Sequence, residues 1–319
     1  MPPTPDAIRI EPWQHVDAAR MAELYRAERS RLVAALDWDT APTWAAVEQG
    51  RRGGGVDGLV ARDRTGALAG WTYYVRRDDE LQVGGFTATT AARDPLLAAL
   101  ITSPDAQRAG RIRVFGPASA PGLAAALAGR GFVVGTYEYL TAPLVGVGGG
   151  AAGTWRMADT TAAAALMQAA YQAPDDLRPF GGAGTPDDWL AYVLALTTTA
   201  GCGVFAPELT VVERADDGTL TGLALVTRLG PAVGHLAQLA VAPRHHRRGA
   251  GGRLLDAAMA RAAAAGLSAM TLLVAADNDV ARRLYAGRGF RYGASFVSAV
   301  MAGKPAASAP YADPMAALG

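Results

Sequence analysis

Cysteine is almost missing: Cys202 stands alone in 319 residues. That excludes an intrachain disulfide framework and any multi-cysteine metal site, and it fits a reducing cytoplasm, the expected location. Lysine is as scarce, Lys304 being the only one, so arginine supplies nearly all of the 30 basic side chains that face 29 acidic ones. Such balance gives no reason to expect a nucleic-acid or membrane-surface partner, and leaves a small molecule as the expected one. No apolar run is long enough to cross a bilayer, and the opening MPPTPDAIRI has neither the basic start nor the apolar core of a secretion signal. The expectation is a soluble monomer or homodimer. What the chain has in quantity is apolar material, 50% of its residues, enough at this length for about two ordinary domains.

The sequence also repeats itself. LAGRGF at 127–132 returns as YAGRGF at 285–290. Upstream, GLVARDRTGALAGWTYYV (58–75) parallels LTVVERADDGTLTGLALV (209–226), each reading as a strand, a glycine-containing turn and a strand. Between the halves lies VGVGGGAAG at 145–153, a composition that joins domains. The expected organisation is therefore a first domain over 1–144, a linker over 145–153, a second domain over 154–302 and a Pro- and Ala-rich tail over 303–319. Each half reads as a strand, two helical segments, a run of antiparallel strands, a helix, a strand, a helix and a closing strand. In the second half strands are expected at 155–158, 209–214, 220–227, 234–241, 270–274 and from 294, with helices at 161–171, 186–196, 249–264 and 278–286. The fold class is α/β (α+β), two tandem domains, each a mixed, mostly antiparallel sheet flanked by helices.

One short stretch, VAPRHHRRGAGGRLL at 241–255, packs basic side chains against glycines before an apolar helical pattern at Leu254, Leu255, Ala258 and Met259. A helix beginning near Gly249, Ala250, Gly251 and Gly252 leaves its first N–H groups without backbone partners, and glycine lets a ligand come close to them. The dipole favours an anion there, and Arg247 and Arg248 add full charges at the rim. By itself the stretch reads equally as a glycine-rich turn with a solvated basic edge. A dinucleotide turn would need glycine at 254 and a P-loop Gly-Lys-Ser or Gly-Lys-Thr, so both of those readings weaken. His245 and His246 have no cysteine or carboxylate pattern beside them, so no metal is expected.

The run LAVAPRHHRRGAGGRLL resembles the acyl-CoA signature of the GNAT superfamily of N-acyltransferases, with Val241, Pro243, Gly249 and Gly251 in place and His246 where arginine or glutamine is usual. NDVARRLYAGRGF, at 278–290, resembles the second signature of that family through Asn278, Ala281, Leu284, Tyr285, Gly289 and Phe290. The resemblance implies a GNAT domain in the second half with acyl-CoA as co-substrate and no metal. Backbone groups of His246, Arg247, Arg248, Gly249, Ala250, Gly251 and Gly252 would hold the pyrophosphate, and those of Leu239, Ala240 and Val241 the pantetheine and thioester. Tyr285 would protonate the leaving sulfur, its other reading being a packing residue. Asn278 would touch the cofactor, cap its helix, or both. The base is open: Leu273 fills the family's glutamate position, His235 is a candidate because imidazole titrates near neutrality, and a water chain would also serve.

In the first half, LQVGGF is followed by TATTAARDPLLAAL, without Gly-x-Gly, and the equivalent of Tyr285 is Leu127. No acyl-CoA is expected there; this half supports the sheet or walls the acceptor pocket. Trp71, Tyr73, Tyr74 and Phe86 read first as core residues. The two-domain plan resembles mycothiol synthase and the N-acyltransferases that act on the amino sugar of teicoplanin-type glycopeptide antibiotics. The implied activity is transfer of an acetyl or longer acyl group from CoA to a primary amine of a small molecule, an amino sugar being the first choice. Two rivals are an aminoacyl-tRNA-dependent transferase, which needs a basic groove, and a non-catalytic acyl-CoA sensor, which has no use for Tyr285.

Overall fold

The computed structural model describes residues 8–77, 79–146, 152–171, 177–178, 180, 184–199 and 201–302. Most of the 145–153 linker and the whole 303–319 tail lie outside the described residues. In the first half the elements are β1 (Arg9–Pro12), α1 (Ala18–Leu36), α2 (Ala41–Arg52), β2 (Asp57–Arg62), β3 (Leu68–Arg77) and β4 (Glu80–Ala88). They continue with α3 (Thr90–Ile101), α4 (Pro104–Arg108), β5 (Arg111–Pro117), α5 (Leu123–Ala128) and β6 (Val133–Pro143). The second half opens with β7 (Gly153–Thr154), α6 (Thr160–Ala170), α7 (Pro186–Thr198), β8 (Val204–Phe205) and β9 (Val211–Arg214). It closes with β10 (Leu220–Arg228), β11 (Val233–Val241), α8 (Ala250–Ala264), β12 (Ala269–Ala275), α9 (Asp279–Ala286) and β13 (Arg291–Ala302).

The fold class is as expected, mixed sheets flanked by helices, with the element order of one half repeated in the other. One strand differs. At 155–158 the Asp159 carboxylate accepts from the backbone N–H of Arg156 (2.8 Å), which closes a helical turn at Met157–Asp159 and leaves the strand to end at Thr154. The repeated hexapeptide is a repeated helix stop. Gly131 and Gly289 both take left-handed φ (87° and 82°), and the next residue, Phe132 or Phe290, donates its N–H back to Leu127 or Tyr285 (3.2 Å in each case). Even the arginine does the same work, Arg130 pairing with Asp94 in α3 and Arg288 with Asp256 in α8.

Contacts divide the chain into two compact units that do not follow chain order. The first takes residues 8–15, 51–134 and 297–302; the second takes 16–50 and 135–296. In the first unit the sheet order is β1-β2-β3-β4-β5, with the end of β13 beside β5, and Tyr74, Phe86 and Leu97 lie in its core against α3 and α5. In the second the order is β6-β12-β11-β10-β9-β7, with β8 beside β10. Each unit thus takes its closing strand from the other half of the chain: β6 pairs with β12 from Tyr137↔Ala275 to Pro143↔Ala269. The second unit also holds α1 and α2. Tyr139 in β6 donates its hydroxyl to the last carbonyl of α1, Leu36 (2.8 Å), and Asp39 N–H donates to Leu229 (2.7 Å).

Candidate functional site

The site grows from a defect in β11. Against β10 this strand slips register, with Leu225 opposite Gln238 and Val226 opposite Leu236, so Ala237 is an extra residue and the strand bends. Its parallel pairing with β12 runs from Val233↔Ala269 to Leu236↔Leu272 and stops there, although β11 continues to Val241 and β12 to Ala275. Beyond the bulge, Leu239, Ala240 and Val241 therefore have β10 on one edge and no β12 ladder on the other. Backbone donors and acceptors left this way call for an extended partner, the geometry by which sheet edges take a ligand.

The strand then turns into α8. Arg247 and Gly249 both take left-handed φ (59° and 75°), and the N-cap, Gly249, supplies no side-chain hydrogen bond to the first turn. The donors at the start of α8 remain open. His246, the departure from the family pattern, donates Nε2–H to the Val241 carbonyl (2.8 Å) and so ties the turn back to the strand. Arg247 and Arg248 are exposed at the rim. Arg253 pairs with Glu213 of β9 (3.0 Å) and fixes the first turn of α8. The glycines have different reasons. Gly249 is needed for its φ, and at Gly252 a Cβ would press on the Arg288 guanidinium, which would have to shift. Gly251 has neither reason: a Cβ there would meet only Leu284 and Val241 at ordinary distances, 3.7 and 3.9 Å.

Those contacts also show that α9 lies beside this helix start. Asn278 is the N-cap of α9, accepting from Ala281 N–H (3.0 Å), and the residue is exposed. Arg282 anchors the helix to Glu138 of β6 (3.0 and 3.1 Å). Tyr285 is buried with its ring 5.7 Å from Phe290, and its hydroxyl makes no hydrogen bond among the described residues. Burial first, and the nearby Tyr171 second, push its pKa well above the usual tyrosine value, so the proton stays on at neutral pH.

His235 sits where the sheet is still closed. It is buried, its Nδ1 lies 2.9 Å from the Thr271 hydroxyl, and its ring stacks on Tyr139 at 6.2 Å. Burial pushes the imidazole pKa down to about 4, which makes it neutral and weakly basic near pH 7. The residue that sequence reasoning missed is Gln238. It is buried on the face opposite α8 and bonded to the hydroxyls of Tyr171 and Tyr192. Its signal was there: the single amide in the apolar run LAQLAV, where a polar side chain needs a partner.

The first half builds the same strand and closes it. β4 slips against β3 so that Gly84 is the extra residue, and its parallel pairing with β5 ends at Val83↔Val114 while β4 continues to Ala88. Matching the two bulges places Gly85 opposite Gln238 and Gln82 opposite His235. Here α3 begins directly after the strand, and Thr89 caps it by accepting from Ala92 N–H (3.3 Å). Tyr73, stacked between Trp13 and Trp71 (6.1 and 6.0 Å), lies across Gly84 and Gly85, and Leu127 is fully buried.

Among the described residues no group of three His, Cys, Asp or Glu is placed to hold a metal ion, and no helix is long and apolar enough to cross a membrane. Residues 168–290 match the model of the Acetyltransferase (GNAT) family. No curated protein matches the sequence. Among solved structures the chain is similar to a GCN5-related N-acetyltransferase from Sphaerobacter thermophilus, at 17% identity and TM-score 0.62, covering 94% of this chain and 96% of that one. It is equally similar to a tandem GNAT protein from the clavulanic acid biosynthesis pathway, at 17% identity and TM-score 0.64, covering 94% and 100%. A third likeness is to a GCN5-related glucosamine N-acetyltransferase region in a fungal multi-domain GH3 β-N-acetylglucosaminidase, at 13% identity and TM-score 0.64. It covers 93% of this chain and 38% of that one. At these identities the likeness is one of fold.

Proposed function

We propose that the second half is an acyl-CoA-dependent N-acyltransferase acting on a primary amine of a small molecule. The observation that carries this reading is the continuous path from the open edge of β11 at 239–241 to the uncapped start of α8. Acyl-CoA has an extended amide-bearing arm and a pyrophosphate, and this path offers strand groups without a β12 partner for the first and open helix donors with an arginine rim for the second. Gly251, which the fold itself does not require, leaves room for the pyrophosphate to approach.

In this reading the donors at 239–241 polarise the thioester carbonyl and stabilise the charge that grows on its oxygen as the amine attacks. The C–N bond forms and the C–S bond breaks. Tyr285 gives its proton to the leaving sulfur and regains one, through water, from the proton the amine releases. A hydroxyl kept protonated by burial and without an internal partner suits that role, and favours an enzyme over a sensor. Water is the first choice of base, because His235 is weakly basic and lies in the closed part of the ladder. An amino sugar remains the leading acceptor, supported by the balanced charge and by the glucosamine-acetylating region that shares this fold.

The test is to mix purified protein, acetyl-CoA and a panel of amines that includes glucosamine, and to follow free thiol and product mass. Amine-dependent thiol release with a product heavier by one acetyl group is the expected result. Tight acetyl-CoA binding with no transfer to any amine would leave a sensor instead.

A further inference from the structure

The stretch of β11 beyond the bulge carries one polar side chain, and two tyrosines hold it. Tyr171, at the end of α6, donates its hydroxyl proton to Gln238 Oε1 (2.9 Å), and Gln238 Nε2 donates to the hydroxyl oxygen of Tyr192 in α7 (2.7 Å). An amide has one accepting end and one donating end, so the tyrosines on either side of it must take opposite polarity. Tyr171 has committed its proton and presents lone pairs. Tyr192 has filled an acceptor position and keeps its proton to donate. Neither hydroxyl has a second partner among the described residues, and both residues are partly exposed, so the remaining capacity of each is open to a ligand. The rings are fixed, Tyr171 stacking on Trp189 and Tyr192 on Phe180, each at 5.3 Å.

Position gives this pair its meaning. Gln238 lies between the bulge and the open backbone at 239–241, and Tyr171 is close enough to Tyr285 to disfavour its ionisation. Bonded to the side chain of the residue next to the open backbone, the two hydroxyls lie beside the stretch where, in the acyl-transfer reading on which this inference rests, the thioester is held. We infer that Tyr171, Tyr192 and Gln238 form the acceptor subsite, specific for an amine that carries an oxygen on the neighbouring carbon. Tyr171 accepts one N–H of the neutral amine and so aims its lone pair at the carbonyl, while Tyr192 donates to the neighbouring oxygen. Gln238 is a positioning residue that sets both polarities.

Ethanolamine, 2-methoxyethylamine and propylamine are primary amines of similar size and test this directly with acetyl-CoA, compared at equal concentrations of unprotonated amine. The wild-type protein should use the two oxygen-bearing amines at least about tenfold better than propylamine in kcat/KM, because a site built around a hydrogen bond rejects a molecule that cannot complete it. The ether should match the alcohol, since the site donates. Tyr192→Phe should bring all three amines together. Tyr171→Phe should slow all three and keep the preference, and Gln238→Met should lose the preference with the KM for acetyl-CoA unchanged, a split that a merely structural role would not give. Equal use of the three amines by the wild type overturns the subsite, as does a preference that survives Tyr192→Phe. So does a protein that binds acetyl-CoA and accepts none of them. Failure to bind acetyl-CoA at all is a different outcome, striking the acyl-transfer reading itself and this inference with it.

Discussion

β4 and β11 share a bulge, a parallel ladder that stops one residue before it, and a strand that runs on alone, yet only one of them leads to an open helix start. After β11 a long turn delivers Gly249 as an N-cap with nothing to offer the helix; after β4 the chain enters α3 at once and Thr89 closes the first turn itself. Beside the bulge, Gln238 holds two tyrosine hydroxyls, whereas Gly85 lies under the ring of Tyr73. The lesson is that the backbone distortion is a property of the fold and the chemistry is a property of what fills it. Capping, more than strand geometry, separates a helix that satisfies its own donors from one that waits for a ligand.

That contrast can be broken from its functional side first. Gly251→Val should lower acetyl-CoA affinity by about 1000-fold or more by blocking the N–H groups of α8, while changing fold stability by less than about 1 kcal/mol, since a Cβ there makes only ordinary contacts. Calorimetric titration and thermal melting on the same samples separate the two effects. The second difference is His235 against Gln82. With its pKa pushed to about 4 against an ordinary 6.5, the imidazole is neutral in the folded protein, and the unfolded chain binds the proton first as pH falls. Its contribution, about 3 kcal/mol, is complete above about pH 6.5 and is lost as pH falls towards 4. His235→Gln should flatten denaturant-measured stability over that window; an unchanged slope would contradict the burial argument.

Tyr285 against Leu127 comes next. Tyr285→Phe should cut turnover about 100-fold with acetyl-CoA affinity nearly intact, the pattern of a lost proton donor. Turnover equal to wild type would make Tyr285 a packing residue like its counterpart. The smallest effect concerns the closed side. Thr89→Ala should cost about 1 kcal/mol by removing a cap, measurable by urea melting, and should create no second acyl-CoA site, because Tyr73 still lies over the strand.

Much of this was legible in the sequence. The helix stops at LAGRGF and YAGRGF were visible because only glycine takes the left-handed turn cheaply, and the start of α8 because glycines stood before an apolar helical pattern. Strand partners were not legible. Alternation identifies β6 and β13 as strands but says nothing of their neighbours, so a division of the chain at 145–153 does not reveal that β6 pairs with β12. The bulge at Ala237 has no residue signature, and the burial that weakens His235 as a base depends on Tyr139 and Thr271, both far away in sequence. Tyr171 and Tyr192 gain meaning only when α6 and α7 bring them to Gln238.

The central proposal is that one half of this chain, and only one, binds an acyl-CoA at an open helix start. Isothermal titration of the full chain with acetyl-CoA measures it. The structure predicts one site per chain, kept in Thr89→Ala and abolished in Gly251→Val. Two sites, no site, or a single site that survives Gly251→Val would contradict it.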